Sequence, residues 1–301
     1  MRGFVQIILI ICGLLSPLAA FARPVVDQAG RSVELPAELH RVVSLAPSLT
    51  EVVFSLGRGA LLKGATQYSD DPPAARLIPR VGSYVRLDVE KIVALRPDLC
   101  LAIRDGNPLH TINRIVELGI PVYVVDPRSL AGIMAMVSGL GEVLGAVEPA
   151  ARITGDMQAR LKKVSDRLAG NRARPRVFFQ IDAEPIVSAG RDTFIHELIT
   201  LAGGLNLAAD AGVGAYPKFS WEDLLALQPE VAIVASMAGG FSVDSLRAGW
   251  QRWPQLPAVK NRRVHVVDAG LVDRPTPRLL DGLETFARII HPELFGAPLG
   301  D

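Results

Sequence analysis

Cysteine is nearly absent from this sequence. The 301 residues include only Cys12 and Cys100. Cys12 lies in an N-terminal apolar run over residues 4–15, which is followed by the small-x-small sequence AFA. Because this run is shorter than the roughly 20 residues that span a membrane, it predicts a signal peptide over residues 1–22 that is cut after Ala22. Cys100 alone is left after that cut, which excludes an internal disulfide.

An excess of charge of either sign is also missing. Lys and Arg number 32 and Asp and Glu 31, a formal net charge of +1, so the composition does not point to nucleic acid as a partner. With 49% hydrophobic and 21% charged residues, the chain is globular and has enough apolar material for two cores. Its length suggests one large domain or two ordinary ones.

Motifs of several enzyme classes are lacking. The sequence contains no G-x-S-x-G, no P-loop and no G-x-G-x-x-G after a predicted strand. Its five histidines are far apart, without an H-x-x-H or H-E-x-x-H pair, which favours core or surface histidines over a first-row metal site. We therefore predict neither an enzyme nor a resident metal or cofactor.

One stretch of the sequence occurs twice. The segment Asp88–Ile103, DVEKIVALRPDLCLAI, returns as Trp221–Ala235, WEDLLALQPEVAIVA, with Glu90 aligned on Glu222. Each copy predicts a short helix, a stop at proline and a buried strand. The repeat divides the chain into two lobes of similar plan, each with a glutamate at the start of an equivalent helix.

The alternation of helices and apolar strands predicts an α/β fold with a parallel-rich sheet in each lobe. The sequence Ser48–Glu51 has the S-x-x-E form of a capping box at a helix start. Helical periodicity without internal proline over residues 150–169 predicts a helix of about 30 Å that joins the lobes. Further strands are expected at 41–45, 61–65, 122–125, 176–180 and 264–267, and further helices at 109–118 and 276–290. Within 190–204, a helix is expected that is capped by Asp192 or Thr193 and stops at the glycine pair.

The expected organisation is a two-lobed protein with a ligand cleft between the lobes. In open α/β sheets, ligands collect at the carboxyl ends of the strands, so the cleft should be lined by the loops that follow them. The predicted division is a signal peptide at 1–22, an N-terminal lobe at 23–145, a linking helix at 146–172 and a C-terminal lobe at 173–301.

Aromatic residues are scarce, and their placement is informative. Of four tyrosines, Tyr68, Tyr84 and Tyr216 fall in loops that should face the cleft. Aromatic rings at a cleft suit stacking against a large flat ligand. The alternative is that these rings pack within their own loops.

Several segments, taken in order, resemble one family of transport proteins. They are the predicted signal peptide, D-x-x-G-R-x-V-x-L-P at 27–36, RVVSLAPSLTE at 41–51, YSDDPP at 68–73, EKIVALRPDL at 90–99 and the long central helix. In order and spacing they resemble the periplasmic substrate-binding proteins of the helical-backbone class, which serve importers of metal chelates: cobalamin, haem and ferric siderophores. Residues 68–73, 90–99 and 176–180 are most similar to the cobalamin-binding members.

The resemblance implies which residues contact the ligand. Tyr68 matches a tyrosine that contacts cobalamin, whereas Tyr84 and Tyr216 stand where the family uses tryptophan. Aliphatic residues replace other aromatic contacts, so the implied pocket is less aromatic, and a chelate other than a corrinoid stays open. The full implied set is Tyr68, Tyr84, Ile103, Ile181, Tyr216, Leu271, Val272, Asp273 and Arg274.

The repeated glutamates have a separate implied role. By resemblance, Glu90 and Glu222 match two glutamates that dock to arginines of an inner-membrane permease. Asp88 and Ser220 can serve as N-caps, so both glutamates fall in first helical turns, where the helix dipole alone favours a carboxylate. That stabilisation is the alternative explanation of the pair.

The function implied by the resemblance is capture and delivery. The chain would be the monomeric periplasmic component of an ABC importer that binds cobalamin or a related corrinoid and passes it to the permease and its ATPase. A haem- or ferric-siderophore-binding protein of the same class is the alternative, with a tyrosine as axial phenolate in the haem case. The remaining alternative is an exported enzyme on the same scaffold.

Overall fold

The computed structural model describes residues 23–211, 214–236 and 242–297. The predicted signal peptide and its cleavage site lie outside the described residues. Within them, two four-stranded parallel sheets form the centres of two lobes, as the repeat predicted. None of the described helices combines the length and the apolar character needed to cross a membrane.

The first lobe is built on the sheet order β4-β3-β7-β8. Its elements in chain order are β1 (Arg23–Val26), β2 (Ser32–Leu35), β3 (Val42–Ser44), α1 (Pro47–Ser55), β4 (Leu62–Gly64), β5 (Gly82–Ser83), β6 (Arg86–Leu87), α2 (Val89–Ala94), β7 (Leu99–Ile103), α3 (Leu109–Glu117), β8 (Val122–Val125) and α4 (Leu130–Val143). All five residues of β7 are buried, as expected for a strand covered on both faces.

The second lobe follows a single long helix, α5 (Val147–Leu168), and has the sheet order β12-β9-β14-β15. Its elements are β9 (Arg176–Gln180), β10 (Asp182–Ala183), β11 (Ile186–Val187), α6 (Phe194–Leu201), β12 (Leu205–Asn206), β13 (Lys218–Phe219), α7 (Trp221–Leu227), β14 (Val231–Ser236), α8 (Val243–Gln251), α9 (Pro257–Lys260), β15 (Val264–Asp268), α10 (Leu279–Ile290) and α11 (Pro292–Phe295).

The sequence repeat is also a structural repeat. In the first copy, the Asp98 carboxylate accepts from the backbone N–H of Arg41 at 3.0 Å, and in the second the Glu230 carboxylate accepts from that of Arg176 at 2.8 Å. The guanidinium groups of Arg41 and Arg176 each donate to the carbonyl of a leucine at the end of the repeat helix, at 2.6 and 2.5 Å. Each strand after the proline is thus attached to its neighbour in the same way.

The linking helix is bound firmly to the second lobe. Three residues of α5 are buried at intervals of seven (Ala150, Met157 and Val164), and they join one apolar core that continues into both lobes. Arg160 donates to Asp281 at 2.6 Å and to Glu284 at 2.9 Å, both on α10. These contacts make α5 a stiff connection rather than a flexible hinge.

One helix of the first lobe was not predicted. The α4 sequence LAGIMAMVSGLGEV contains three glycines, which weaken the signal for a helix. Close packing accounts for two of them: a Cβ on Gly141 would lie 2.4 Å from the Ala150 Cβ on α5, and one on Gly139 would lie 2.7 Å from the Tyr123 hydroxyl. The helix α8 also lacked a prediction.

The capping-box prediction is wrong. Helix α1 begins at Pro47 with Ala46 as N-cap and no side-chain cap, because proline is pre-organised for the first helical position. Ser48 is therefore already inside the helix and is buried. Glu51 has no capping role and forms an ion pair instead, as described below.

Candidate ligand-binding site

Three tyrosines are exposed, and the fourth is in the core. The side chains of Tyr68, Tyr84 and Tyr216 are 58%, 38% and 51% exposed, whereas Tyr123 is 4% exposed. Burial raises the pKa of Tyr216, and the charges of Asp105 and Tyr84 raise it further, which places this second-lobe ring within electrostatic reach of two first-lobe groups.

Tyr68 lies on a firmly anchored turn after β4. The Arg80 guanidinium donates to the carbonyls of Thr66 and Ser69, each at 2.8 Å. The buried Ser69 hydroxyl lies 3.0 Å from the hydroxyls of both Thr66 and Thr50. Because the residues on either side of Tyr68 are held in this way, its ring is presented to solvent from a rigid support.

Ion pairs connect the lobes beside this turn. The Arg274 guanidinium donates to the Glu51 carboxylate at 2.6 Å and lies 3.5 Å from that of Asp70. Arg278 donates to Asp71 at 2.6 Å. Both arginines belong to the second lobe and all three acids to the first, so these contacts hold the two lobes against each other.

The pKa values of both members of the buried pair are raised, which disfavours the charged form of Glu51 and favours that of Arg274. Burial raises the pKa of Glu51, and the hydrogen bond and charge of Arg274 offset this only in part. Burial lowers the pKa of Arg274, but the hydrogen bond and charge of Glu51 outweigh burial and raise it. Neighbouring acids add to the difference, because Asp273 and Asp70 also raise the pKa of Arg274, whereas Asp71 raises that of Glu51. Glu51 is therefore the member whose charge is less fully compensated.

Sequence reasoning missed Glu51 as a residue of this site. Its partner Arg274 lies 223 positions away in the chain, and a contact at that separation leaves no local pattern. Asp273, which precedes Arg274, is also affected by the site, since burial raises its pKa. Arg274, predicted as a ligand contact, is engaged with acids of the first lobe.

The predicted aliphatic contacts differ in accessibility. Ile103 is 7% exposed at the end of β7, and Val272 is 2% exposed. A Cβ on Gly282 would lie 2.9 Å from Val272 Cγ1, so α10 packs closely on this valine and a direct ligand contact from it finds no support here. Ile181 and Leu271 are partly exposed, and their contact with a ligand stays a prediction.

A groove on the second lobe adjoins Tyr216. It has a volume of about 640 Å³ and lies between residues 216–219 and helix α7, with Lys218 and Asp223 as its charged lining. All of its lining residues belong to the second lobe. The groove is therefore not the space between the lobes, although Tyr216 borders it.

Both repeated glutamates lie in exposed first turns. Asp88 caps α2 by accepting from the Lys91 backbone N–H at 3.1 Å, as predicted. Ser220 caps α7, where Asp223 completes a capping box. Glu90 and Glu222 follow these caps and are exposed. Within residues 23–211, 214–236 and 242–297, no three His, Cys, Asp or Glu side chains form a group that could hold a metal ion.

Comparisons with known proteins agree with this architecture. A vitamin B12-binding protein of Vibrio cholerae is 33% identical over 252 residues, which cover 83% of this chain and 87% of that protein. The crystal structure of the periplasmic vitamin B12-binding protein of Vibrio cholerae superposes with a TM-score of 0.75 at 31% identity, covering 84% of this chain and 96% of that one.

A periplasmic heme-binding protein from Pseudomonas aeruginosa also superposes, with a TM-score of 0.75 at 27% identity over 87% of this chain and 95% of that one. The family profile described as periplasmic binding protein matches residues 42–271. The two lobes, their parallel sheets and the single linking helix agree with these matches. The chain belongs to the periplasmic binding protein family.

Proposed function

We propose that this protein is the periplasmic component of an ATP-driven importer and that it captures cobalamin or a related corrinoid between its lobes. The observation that carries the proposal is the exposure of Tyr68, Tyr84 and Tyr216 in loops, in a chain with 33% identity to a vitamin B12-binding protein. Flat aromatic rings provide stacking area for a corrin macrocycle, and Ile181 and Leu271 add apolar contact.

The test is a titration of the purified protein with cobalamin, cobinamide and haem, followed by the absorption spectrum and by calorimetry. Saturable binding of cobalamin or cobinamide with one ligand per chain is expected. Tyr84→Ala and Tyr216→Ala should each raise the dissociation constant about tenfold, which corresponds to the loss of about 1.4 kcal/mol of aromatic contact. Absence of binding to both corrinoids contradicts the proposal.

Haem is the second candidate ligand. The heme-binding protein of Pseudomonas aeruginosa is similar at 27% identity, and an exposed tyrosine can supply an axial phenolate. Tyr216 is the least suited to this role, because burial raises its pKa and its proton is held more tightly. A phenolate-type haem spectrum that disappears in Tyr68→Phe or Tyr84→Phe favours haem over corrinoid.

The partner in this proposal is an inner-membrane permease with its ATPase, and Glu90 and Glu222 are the docking residues. Each is an exposed carboxylate in the first turn of an equivalent helix, one per lobe. A permease with two-fold symmetry can meet them with two basic side chains, which provides orientation and association rate more than affinity.

Docking is tested with a double variant, Glu90→Ala plus Glu222→Ala. Ligand affinity should stay within about threefold, under 1 kcal/mol, while uptake by cells that depend on the importer is lost. Glu148→Ala is a matched control, because Glu148 is an exposed glutamate in the first turn of α5. Unchanged uptake in the double variant leaves the helix dipole as the only role of the two glutamates.

The organisation of the exported form completes the proposal. A cut after Ala22 would release a monomer with lobes at 23–145 and 173–301, joined by the linking segment 146–172. The burial of α5 residues against the cores supports a linking segment that is part of the folded unit. Intact mass measurement of the periplasmic protein tests the cleavage site, and its sedimentation tests the monomer.

A further inference from the structure

A buried asparagine lies at the carboxyl end of β7. Asn107 is 6% exposed, in the loop that joins β7 to α3. Its side-chain NH2 group donates to the carbonyls of Leu45 and Tyr84, each at 2.8 Å, and its Oδ1 accepts from the Ile103 backbone N–H at 2.8 Å. One amide therefore connects three separate segments of the first lobe and uses three of its four hydrogen-bonding positions.

These three segments are the ends of the lobe that face the cleft. Leu45 directly follows β3, Ile103 ends β7, and Tyr84 lies at the tip of the β5–β6 hairpin. The hairpin has only two residues in each strand, and its tip is closed by one further hydrogen bond, from the Arg86 backbone N–H to the Ser83 hydroxyl at 3.1 Å, so it has little support of its own. Its base is attached to the lobe by the hydrogen bond from the Gln67 backbone N–H to the Gly82 carbonyl at 2.9 Å. The tip is attached through Asn107.

The residue before Asn107 fixes the tyrosine ring. Gly106 has a φ of +129°, a backbone conformation that L side chains rarely adopt. A Cβ at this position would lie 3.0 Å from Cδ2 and 3.1 Å from Cε2 of Tyr84. The ring of Tyr84 thus packs on the backbone of Gly106, while the backbone carbonyl of Tyr84 accepts a hydrogen bond from Asn107.

We propose that Asn107 is a positioning residue for ligand capture: together with Gly106, it holds Tyr84 in its binding orientation in the empty protein. A flat ligand then stacks on a ring that is already ordered, so the binding free energy does not include the entropy cost of fixing the hairpin tip. The inference rests on the proposed function, in which Tyr84 contacts the chelate. It extends that function from the residues that touch the ligand to the one that orders them.

Two variants weaken the attachment by different means. Asn107→Asp keeps the size of the side chain and the acceptor for Ile103 but removes both donors to carbonyl groups. Gly106→Ala keeps the Asn107 side chain but places a methyl group against the Tyr84 ring and strains the loop backbone at a φ of +129°. In titrations with cyanocobalamin, each should raise the dissociation constant about tenfold.

A double-mutant cycle separates positioning from general destabilisation. If Asn107 acts through Tyr84, Asn107→Asp combined with Tyr84→Ala should raise the dissociation constant about tenfold in total, rather than the roughly hundredfold of independent effects. Arg41→Met is the matched control. Arg41 lies at the amino end of β3, in the same lobe but at the opposite end of the sheet, and it donates to the Leu95 carbonyl. Its loss should leave the dissociation constant unchanged.

Hydrogen exchange gives a readout that needs no ligand. In Asn107→Asp, the backbone amides of residues 84–87 should exchange about tenfold faster than in the wild type, whereas Arg41→Met should leave them unchanged. Additive effects in the cycle, or unchanged exchange at the hairpin tip, overturn the inference. If the wild type binds none of cyanocobalamin, cobinamide and haem, the proposed function fails, and the exchange rates alone then decide whether Asn107 holds the hairpin.

Discussion

The buried interlobe ion pair gives the sharpest prediction about stability. Arg274 and Glu51 are 2.6 Å apart, and Glu51 is 8% exposed. Arg274→Gln leaves the Glu51 carboxylate buried without its partner, a change that costs about 2–5 kcal/mol at such sites. The charge of Asp71 raises the pKa of Glu51 and that of Arg278 lowers it, so the two oppose each other, and we expect a loss of about 2–5 kcal/mol in the free energy of unfolding.

The same variant has a predicted dependence on pH. The pKa of Glu51 is raised in the folded protein, so its favourable contribution is fully present below its unfolded pKa and is lost as the pH rises through the folded pKa. Arg274→Gln removes the positive charge that lowers this pKa and so raises it further. The loss of stability relative to wild type should therefore be larger at about pH 8 than at about pH 5, because a higher pH favours the charged carboxylate that has lost its partner.

Urea unfolding at the two pH values measures both effects, and a neighbouring pair provides the control. Arg278→Gln removes an ion pair of the same length, 2.6 Å, but its partners are 41% and 44% exposed. Exposed pairs contribute about 0–1 kcal/mol, so this control should change the unfolding free energy little at either pH. Equal losses for the two variants, or a loss in Arg274→Gln that is the same at both pH values, would refute this account of Glu51.

Three further predictions concern the cores. Burial raises the pKa of the Cys100 thiol to about 12, so a thiol reagent at neutral pH should label it only as fast as the protein unfolds; rapid labelling of the native protein contradicts this. Trp250→Phe removes the buried 2.7 Å hydrogen bond to Gln180 Oε1 and leaves that oxygen without this donor, so the unfolding free energy in urea should fall by about 1–3 kcal/mol. An unchanged unfolding free energy contradicts this. Gly141→Ala, whose Cβ would lie 2.4 Å from the Ala150 Cβ, should lower the unfolding free energy by about 1–3 kcal/mol, and a stabilised variant disproves the tight α4–α5 contact.

The sheets could be predicted from the sequence because their strands are continuous apolar runs. The strands β8 and β9 begin and end where the sequence placed them. The helix α4 could not be predicted, since two of its glycines reflect contacts with elements that only the fold brings close. Local periodicity reports burial within one element, and it does not report which element lies opposite.

The candidate site was only partly accessible to sequence reasoning. Exposed tyrosines were predicted because aromatic residues in loops have no core position to fill, and three of the four are exposed. Glu51 was assigned to a helix cap because its short-range pattern fits one, while its partner is distant in the chain. Asn107 did carry a usable signal: a glycine and an amide directly after a buried strand mark a carboxyl-end loop that must satisfy backbone groups.

The topology also relates the two glutamates to the cleft. The carbonyl of Leu95, just after α2, accepts from Arg41 at the amino end of β3, so the opposite end of α2 is directed toward the carboxyl ends of the strands. The second lobe repeats this arrangement at Arg176, with α7 in the place of α2. Glu90 and Glu222 are therefore at the same edge of their sheets as the tyrosine loops. In the proposed docking arrangement, a partner that binds both glutamates would therefore lie on the face that carries the tyrosine loops.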